Sequence, residues 1–143
     1  NSVDGIYCEA VLEHLQNPIL AVREMHRVLK PGGLVFAATP FMQAYHGYPN
    51  HFQNFTLHGH TLLFEKNGFT ILESGACVGP ATALCVMIAR SMQLYIPGKL
   101  GKAIQLLSQI VGIPFRALDI WLTRHPQAHV MASTTYLLAQ KPI

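Results

Sequence analysis

The segment that decides the fold is Val3 to Pro40, VDGIYCEAVLEHLQNPILAVREMHRVLKPGGLVFAATP. Its first apolar run, Val3 to Tyr7, predicts a short buried strand. Asn17 and Pro18 follow, a pair that is typical of the beginning of a helix. The run Leu34 to Ala38 is apolar without alternation, which predicts a central parallel strand covered by helices on both faces. The segment therefore predicts a strand, a crossover helix and a second, parallel strand.

The helix between these strands has one apolar stripe, formed at positions i, i+4, i+7 and i+8 by Ala21, Met25, Val28 and Leu29. We expect it to continue to Lys30 and to end at the turn Pro31 to Gly33, because proline and two glycines cannot prolong a helix. A strand, helix and strand within so few residues form a βαβ unit. The chain is therefore predicted to be an α/β protein with a parallel sheet.

The chain has 143 residues, half of them apolar and 12% charged, which predicts a single globular domain over residues 1–143. Its three cysteines, Cys8, Cys77 and Cys85, have no CxxC spacing. This favours a reducing compartment and no structural zinc site. The sequence has neither a secretory signal nor an uncharged apolar run of 18 residues. We therefore expect a cytoplasmic protein.

The charge is unevenly distributed along the chain. Residues 1–73 carry four Lys or Arg against six Asp or Glu, whereas residues 74–143 carry six Lys or Arg against Asp119 alone. The second half is thus both basic and apolar, which suits an anionic membrane surface or a lipid-linked substrate. The basic residues are scattered instead of clustered along one stripe, so no nucleic-acid partner is expected.

After Pro40 the sequence predicts a loop, a helix and a hairpin. The loop 41–55 is rich in aromatic residues and histidines, and the helix Leu57 to Asn67 is predicted to be capped by Thr56 and ended by Gly68. Phe69 to Ser74 is predicted to form a strand, antiparallel to a last strand at Ser133 to Gln140.

Residues 75–130 have two amphipathic helical stripes separated at Pro114 and are predicted to form a helical cap inserted within the domain. One interpretation is that this cap packs on the sheet, since apolar stripes usually belong to a core. The other is that it contacts a membrane or a lipid-like substrate.

With these elements in place, Val3 to Pro40 resembles the second half of the class I S-adenosylmethionine-dependent methyltransferases. It has the LEH loop, the RVLKPGG helix end and the TP strand end of one common group. Further on, HGYPNHFQNFT is similar to an H-x-Y-P-x-D-Y-x-R-x-T loop of some members.

The resemblance implies a Rossmann-like sheet of seven strands with a terminal antiparallel hairpin, and a cofactor, S-adenosylmethionine, at the carboxyl ends of the strands. Under it Val3 to Tyr7 is the fourth strand and Leu34 to Ala38 the fifth. The first three strands and the glycine-rich cofactor turn are expected to be missing, since the chain has no G-x-G-x-G. We therefore expect an acceptor-side half that, by itself, is inactive and binds S-adenosylmethionine weakly or not at all.

The resemblance also implies site residues. Cys8, Glu9 and Ala10 are expected at the carboxyl end of the fourth strand, in contact with the cofactor, and Glu9 is the first choice for that contact. The alternative for Glu9 is a solvated loop carboxylate. In the LEH element, His14 is a candidate base. The alternative, a histidine that fixes the loop by hydrogen bonds, is favoured because a buried polar ring is normally satisfied locally.

His46 is the main candidate for a catalytic base. It lies with Tyr45, Tyr48 and His51 in the loop after the fifth strand, which should arch over the acceptor. A histidine there can take a proton near neutral pH, and packing within the loop is the alternative. The histidines 46, 51, 58 and 60 fit no zinc spacing, so no metal is expected.

The predicted function is methyl transfer from S-adenosylmethionine to a small-molecule or lipid-like acceptor, with contact at a membrane surface as a further expectation. The alternative is a non-catalytic methyltransferase-like module that binds a partner or a membrane. A dinucleotide-dependent oxidoreductase is disfavoured, because the LEH and RVLKPGG elements have no place in such an enzyme.

Overall fold

The computed structural model describes residues 2–47 and 49–143. Four strands and six helices follow one another, with short 3₁₀ turns at Leu12–His14 and Ala128–Val130. The elements are β1 (Val3–Glu9), α1 (Pro18–Val28), β2 (Leu29–Pro40), α2 (Leu57–Glu65), β3 (Thr70–Val78), α3 (Pro80–Tyr95), α4 (Gly98–Val111), α5 (Ile113–Ala117), α6 (Asp119–Leu122) and β4 (Thr134–Gln140).

The four strands form one sheet in the order β1-β2-β4-β3. β1 and β2 are parallel, and β4 is antiparallel to both β2 and β3. The predicted parallel pair and the predicted terminal antiparallel hairpin are both confirmed. This mixed α/β sheet is Rossmann-like, as the sequence predicted.

One face of the sheet carries the core. Cys8 of β1, Ala37 of β2 and Leu137 of β4 are neighbours in the strand register and are buried. Val22 of α1 and Phe64 of α2 are completely buried against the same cluster. Two crossover connections join parallel strands: α1 connects β1 to β2, and α2 connects β2 to β3. Both run in the same direction across the sheet, so right-handed connections place α1 and α2 on the same face.

The opposite face is open in the described part of the chain, which corrects the prediction that β2 is covered on both faces. Tyr7, Phe36 and Tyr136 stack in a row across this face, with ring centroids 5.3 and 5.8 Å apart. Tyr7 is 70% exposed and Leu34 is also exposed. The apolar run of β2 indicates a strand but not the number of its faces that helices cover.

The segment Pro31 to Gly33 is not the simple turn that the sequence predicted. α1 ends at Val28 instead of Lys30, and β2 begins at once, with an irregularity that moves the register from Val3↔Leu29 to Gly5↔Leu34. A Cβ on Gly33 would lie 2.9 Å from the carbonyl oxygen of Lys30, so glycine is required where the backbone crowds.

The later elements differ from the prediction mainly at their ends. Thr56 caps α2 by accepting a hydrogen bond from Gly59 N at 3.1 Å, and Gly68 has the left-handed φ of 88° that was predicted for it. α2 itself ends at Glu65. β3 continues past Ser74 to Val78, because β4 pairs with it up to Val78↔Thr134.

Helices α3 to α6 form the cap between β3 and β4. Residues 75–78 belong to β3, so the helical part of the cap begins at Pro80. Asp119 of α6 caps α3, since its two carboxylate oxygens accept hydrogen bonds from Ala81 N at 3.0 Å and Thr82 N at 2.9 Å. The only acidic side chain of the cap is thereby occupied within it.

Among the described residues no single helix is long and apolar enough to cross a membrane. The segment Gly98–Val111 together with Ile113–Leu122, bent by 41° at its break, meets the same criterion by length and composition only.

The carboxyl ends of β1, β2 and β3 lie at the same end of the sheet, which we call its carboxyl edge. Pro40 at the end of β2 pairs with Thr134, and Thr134 pairs on its other side with Val78 at the end of β3. Glu9 of β1 pairs with Ala38 near the same edge. The loops after β1 and β2 and the start of the cap therefore meet here, where open α/β sheets bind their ligands.

Candidate functional site

The central residue at this edge is Glu13, in the 3₁₀ turn after β1. Its side chain is completely buried, and neither carboxylate oxygen has a hydrogen-bond partner among the described residues. Burying a carboxylate without a partner costs several kcal/mol even after the protein relaxes. A group this costly indicates a site in which another charge or a ligand compensates it.

Two histidines face this carboxylate. His14 Nε2 lies 3.8 Å from Glu13 Oε1, and His46 Nε2 lies 3.9 Å from the same oxygen. The two imidazole rings are perpendicular, with centroids 5.5 Å apart. Both distances exceed those of a hydrogen bond, so three polar atoms converge without bonding one another.

The other nitrogen of each ring is bound to the backbone. His14 Nδ1 donates to the carbonyl of Asn50 at 2.5 Å, and His46 Nδ1 donates to the carbonyl of Ala44 at 3.0 Å. A carbonyl only accepts, so the proton of each neutral ring is on Nδ1. The Nε2 lone pairs of both rings therefore face Glu13.

His51 and Gln53 hold the loop that carries His46. His51 Nε2 donates to Asn54 Oδ1 at 2.7 Å, while its Nδ1 accepts from His46 N at 3.3 Å. Gln53 Nε2 donates to Leu15 O at 3.0 Å and so ties the loop to the LEH segment. His51 is thus a packing residue of the loop. Tyr48, the other aromatic residue predicted there, lies outside the described residues.

A cavity of about 150 Å³ opens at this point. Three of the predicted site residues, Glu9, Ala10 and His46, line it together with Glu13. The remaining lining residues come from β2, the loop after it and the start of β4: Ala38, Pro40, Gln43 and Thr134. The structure thus brings predicted cofactor residues and the predicted base to one small cavity. We call it the polar cavity because polar side chains line it beside apolar ones.

The three residues predicted to contact the cofactor have different environments. Cys8 belongs to the core, and burial together with the nearby Glu13 carboxylate raises the pKa of its thiol to about 11. Glu9 is exposed at the end of β1, where it accepts a hydrogen bond from Tyr7 Oη. Cys8 can therefore offer a ligand only its backbone, whereas Glu9 can offer its side chain.

Ala10 has a φ of 51°, a left-handed conformation that no other non-glycine residue among those described adopts. Such a conformation is uncommon for residues with a Cβ and costs of order 1–3 kcal/mol. Its backbone N–H donates to Ala38 O at 3.1 Å. The strained residue lines the cavity at the end of β1, which is typical of positions where backbone meets a ligand.

The histidines that the sequence placed in one loop and helix separate into two groups. His60 is completely buried beneath the sheet edge, 3.2 Å from Thr39 Oγ1 through its Nδ1, and burial lowers its pKa to about 4. His58, two residues earlier on α2, is exposed near His129. His60 is therefore a neutral core histidine, whereas His46 lines the cavity.

Sequence reasoning named Glu13 only as part of a motif and missed its role. No spacing indicated that its carboxylate would be buried, because its partners His14 and His46 are one and 33 residues away. The one available signal was a glutamate between Leu12 and His14 in a segment that enters the core.

A second cavity lies within the cap. It has a volume of about 540 Å³ and a lining that is almost entirely apolar. The lining residues come from α3 to α6 and the segment before β4: Pro80, Ala81, Leu84, Cys85, Ile88, Ser108, Val111, Gly112, Phe115, Leu118, Leu122 and Met131. Its size suits a hydrocarbon chain or a ring system.

Comparison with known proteins agrees with the geometry of the sheet edge. Residues 1–37 match the family model of a methyltransferase domain, Methyltransf_11. A search of curated protein sequences gave no significant match. Solved structures match over nearly all of the chain. The chain has the fold of the class I methyltransferases.

Three of these structures show how the fold is shared. The [4+2]-cyclase SpnF is 19% identical, with a TM-score of 0.57 over 100% of this chain and 51% of its own. An S-adenosylmethionine-dependent methyltransferase from Mesorhizobium loti is 13% identical, with a TM-score of 0.57 over 97% of this chain and 62% of its own.

The third is phosphoethanolamine N-methyltransferase 2 of Haemonchus contortus in complex with S-adenosyl-L-methionine. It is 13% identical, with a TM-score of 0.55 over 98% of this chain and 33% of its own. The chain thus spans about half the length, or less, of most of these structures. The cyclase among them shows that the fold by itself does not fix the reaction.

Proposed function

We propose that the protein transfers a methyl group from S-adenosylmethionine to a lipid-like acceptor. The observation that carries the proposal is the small polar cavity at the carboxyl ends of β1 and β2, lined by Glu9, Ala10, Glu13 and His46. It occupies the place where open α/β sheets bind their ligands. The match of residues 1–37 to a methyltransferase domain supports the same chemistry.

The residues at the end of β1 fit the cofactor. Glu9 presents an exposed carboxylate, and Ala10 presents backbone in a strained left-handed conformation on the same cavity. We propose that Glu9 and the backbone of Cys8 and Ala10 hold the cofactor. When bound, S-adenosylmethionine supplies a methyl group already activated by the positive sulfonium, so the protein needs mainly to align the acceptor and exclude water.

His46 is the proposed base for an acceptor hydroxyl or amine. Its Nδ1 is held by Ala44 O, which leaves the Nε2 lone pair free to take a proton. The resulting imidazolium would lie 3.9 Å from Glu13 Oε1, and the buried carboxylate would stabilise it. His14 faces the same carboxylate and is the second candidate base, although its Nδ1 bond to Asn50 O also fixes the loop.

The apolar cavity of the cap supports a lipid-like acceptor. The cap begins after Val78, and Val78 and Pro40 flank Thr134 on either side in the sheet. Two strand spacings separate them, about 10 Å. A hydrocarbon chain in the cap would thus extend from the same sheet edge at which the polar group of the acceptor meets His46.

We also propose that the cap lies on an anionic membrane surface, on the cytoplasmic side. The cap has exposed basic residues, Arg90, Lys99, Lys102 and Arg124, while its one acidic residue caps α3. Many large apolar side chains are exposed beside them: Leu100, Leu106, Leu107, Ile110, Ile113, Ile120 and Trp121. Apolar and basic residues together are what interfacial helices use.

The test is methyl transfer from radiolabelled S-adenosylmethionine to a detergent-dispersed extract of membrane lipids, with the full-length protein. We expect label in the organic phase. Label only in water-soluble molecules would contradict a lipid-like acceptor. If the protein neither transfers label nor binds S-adenosylmethionine, the non-catalytic module becomes the correct interpretation.

A further inference from the structure

We propose that Glu13, His14 and His46 form a binding site for a divalent transition-metal cation, with Zn²⁺ as its best representative. One ligand atom from each of the three residues lies within 4.8 Å of the other two. His14 Nε2 and His46 Nε2 both lie within 4 Å of Glu13 Oε1. This inference rests on the geometry of the three side chains and does not depend on the proposed methyl transfer.

The distances suit a small cation after a slight contraction. Zinc binds imidazole nitrogen and carboxylate oxygen at about 2.0–2.2 Å, which in a tetrahedral site places ligand atoms roughly 3.3–3.5 Å apart. The two nitrogens lie 3.8 and 3.9 Å from Glu13 Oε1. Each ligand therefore needs to move by about half an ångström, within the reach of side-chain rotation.

The two imidazoles are already oriented as ligands. A metal-binding histidine normally donates its second ring N–H to a carbonyl or carboxylate, which fixes both tautomer and ring orientation. Here His14 Nδ1 donates to Asn50 O and His46 Nδ1 donates to Ala44 O. Both Nε2 lone pairs are thereby directed at the carboxylate before any cation arrives.

The charge of the site also favours a cation. Glu13 is fully buried, and neither of its oxygens has a hydrogen-bond partner among the described residues. A divalent ion would replace the lost hydration of this carboxylate and compensate its charge. The alternative is that one imidazole is protonated and compensates the charge of Glu13. The experiment below distinguishes a bound cation from a protonated imidazole.

The ligand set selects the kind of cation. Two imidazoles and one carboxylate are the donors of zinc and of first-row transition metals, whereas Mg²⁺ and Ca²⁺ prefer sites built from oxygen alone. Three protein ligands leave one position open, and Glu13 and His46 line the polar cavity. An acceptor oxygen can occupy that position, where a bound cation would lower the pKa of the hydroxyl. The cation would occupy the Nε2 lone pair of His46, so in the metal-bound protein it would replace His46 as the group that activates the acceptor.

The proposed site includes only one of the histidines that sequence spacing brought together. His51 has both nitrogens in hydrogen bonds within the loop, His58 is exposed on α2, and His60 is buried beside Thr39. Spacing therefore failed to indicate this site because its carboxylate comes from a different loop.

The experiment is a titration of chelator-treated full-length protein with Co²⁺, followed by its visible absorption, and then displacement by Zn²⁺. No S-adenosylmethionine or acceptor is present. We expect one equivalent of Co²⁺ to give a visible band that Zn²⁺ abolishes. Glu13→Gln and His46→Ala should each weaken binding by about 100-fold or more, and the exposed-site control His58→Ala should bind like the wild type.

A thermal-denaturation series guards against misfolded variants. Glu13→Gln keeps the volume of the side chain and removes the buried charge, so without metal it should melt at or above the temperature of the wild type. Zn²⁺ should raise the melting temperature of the wild type and of His58→Ala, but not that of Glu13→Gln.

Two results would overturn the metal site. One is a wild type that binds Co²⁺ and Zn²⁺ no better than folded Glu13→Gln, which would leave imidazole protonation as the balance of charge. The other is Zn²⁺ binding that His46→Ala leaves unchanged. Neither result would touch the proposed methyl transfer, which is measured separately with labelled cofactor and for which His46 is then the base.

Discussion

The two cavities at the carboxyl edge of the sheet differ in size, chemistry and origin. The cavity at Glu13 has about 150 Å³ and is lined by the ends of β1 and β2, the start of β4 and the loop of His46, whose ring is held by a hydrogen bond to Ala44. The cavity in the cap has about 540 Å³ and is built from helices that contact through apolar side chains. The first can position charges and protons, and the second can only accommodate apolar volume.

The two cavities should also differ in how strongly a substitution changes their free energy of binding. A polar site with a buried carboxylate is sensitive to a single atom, because an unpaired buried group costs several kcal/mol. An apolar cavity tolerates change, because each buried CH₂ contributes only about 0.8 kcal/mol. Substitutions in the first cavity should therefore act on the reaction itself, and substitutions in the second on the affinity for the acceptor.

The largest effect is expected at His46. His46→Ala in the full-length protein removes the proposed base and should slow single-turnover methyl transfer by about 10²- to 10⁴-fold. His58→Ala, on the exposed side of α2, is the matched control and should leave the rate unchanged. A wild-type rate in His46→Ala would show that this residue is not the base. It would also contradict the expectation that substitutions in the first cavity act on the reaction itself.

The next largest effect concerns pH and His60, the buried histidine of α2 beside Thr39. Burial lowers the pKa of His60 to about 4, so the folded protein keeps the ring neutral where the unfolded chain, with a pKa near 6.5, binds a proton. The stability it contributes is present above pH 6.5 and is lost as the pH falls toward 4, by about 3 kcal/mol in total.

This loss should appear in denaturant unfolding measured from pH 7 to pH 4. His60→Gln should flatten the pH dependence over that interval, whereas His58→Gln on the same helix should retain it. If His60→Gln and the wild type lose stability equally with falling pH, the buried neutral histidine is not the cause.

A smaller effect is expected in the apolar cavity. Leu84→Gln places an amide in the cavity wall, where a bound acceptor would bury it. It should raise the KM for a lipid-like acceptor by about tenfold, with kcat nearly unchanged, since burying an amide costs about 1–3 kcal/mol. Leu94→Gln changes a leucine on the same helix that does not line the cavity. Equal KM values for the two variants would contradict the placement of the acceptor.

The smallest effect should be at the exposed basic residues of the cap. Lys102→Gln should weaken binding of the full-length protein to liposomes containing phosphatidylserine, by about fivefold at low salt, since each basic residue near an anionic surface contributes about 1 kcal/mol. Lys30→Gln, far from the cap and paired with Asp4, should bind like the wild type. No association of the wild type with these liposomes would count against the membrane proposal.

The sequence predicted the elements well where the local pattern is tied to one backbone geometry. Thr56 caps α2, Gly68 has its positive φ, and the apolar run at Val35 and Ala37 forms a buried strand parallel to β1. Caps, left-handed glycines and apolar runs each have a local physical cause, so a single sequence suffices to find them.

What the sequence could not predict depends on distant residues. Glycine is required at position 33 of β2 because the carbonyl oxygens of Lys30 and Asp4 crowd its backbone. Leu34 is exposed because both crossover helices pack on the other face. The candidate site shows the same limit. Glu9, Ala10 and His46 were chosen from the resemblance and share a cavity, but the burial of Glu13 follows from a loop that returns over it through Gln53. Their roles stay predictions.

Calorimetric titration of the full-length protein with S-adenosylmethionine, for the wild type and Glu9→Gln, tests the proposed cofactor site at the end of β1. We expect saturable binding by the wild type and, in the variant, affinity lower by about tenfold or more, since a hydrogen bond to a charged group contributes about 1.5–3 kcal/mol. No saturable binding by the wild type at millimolar cofactor would contradict the proposed site.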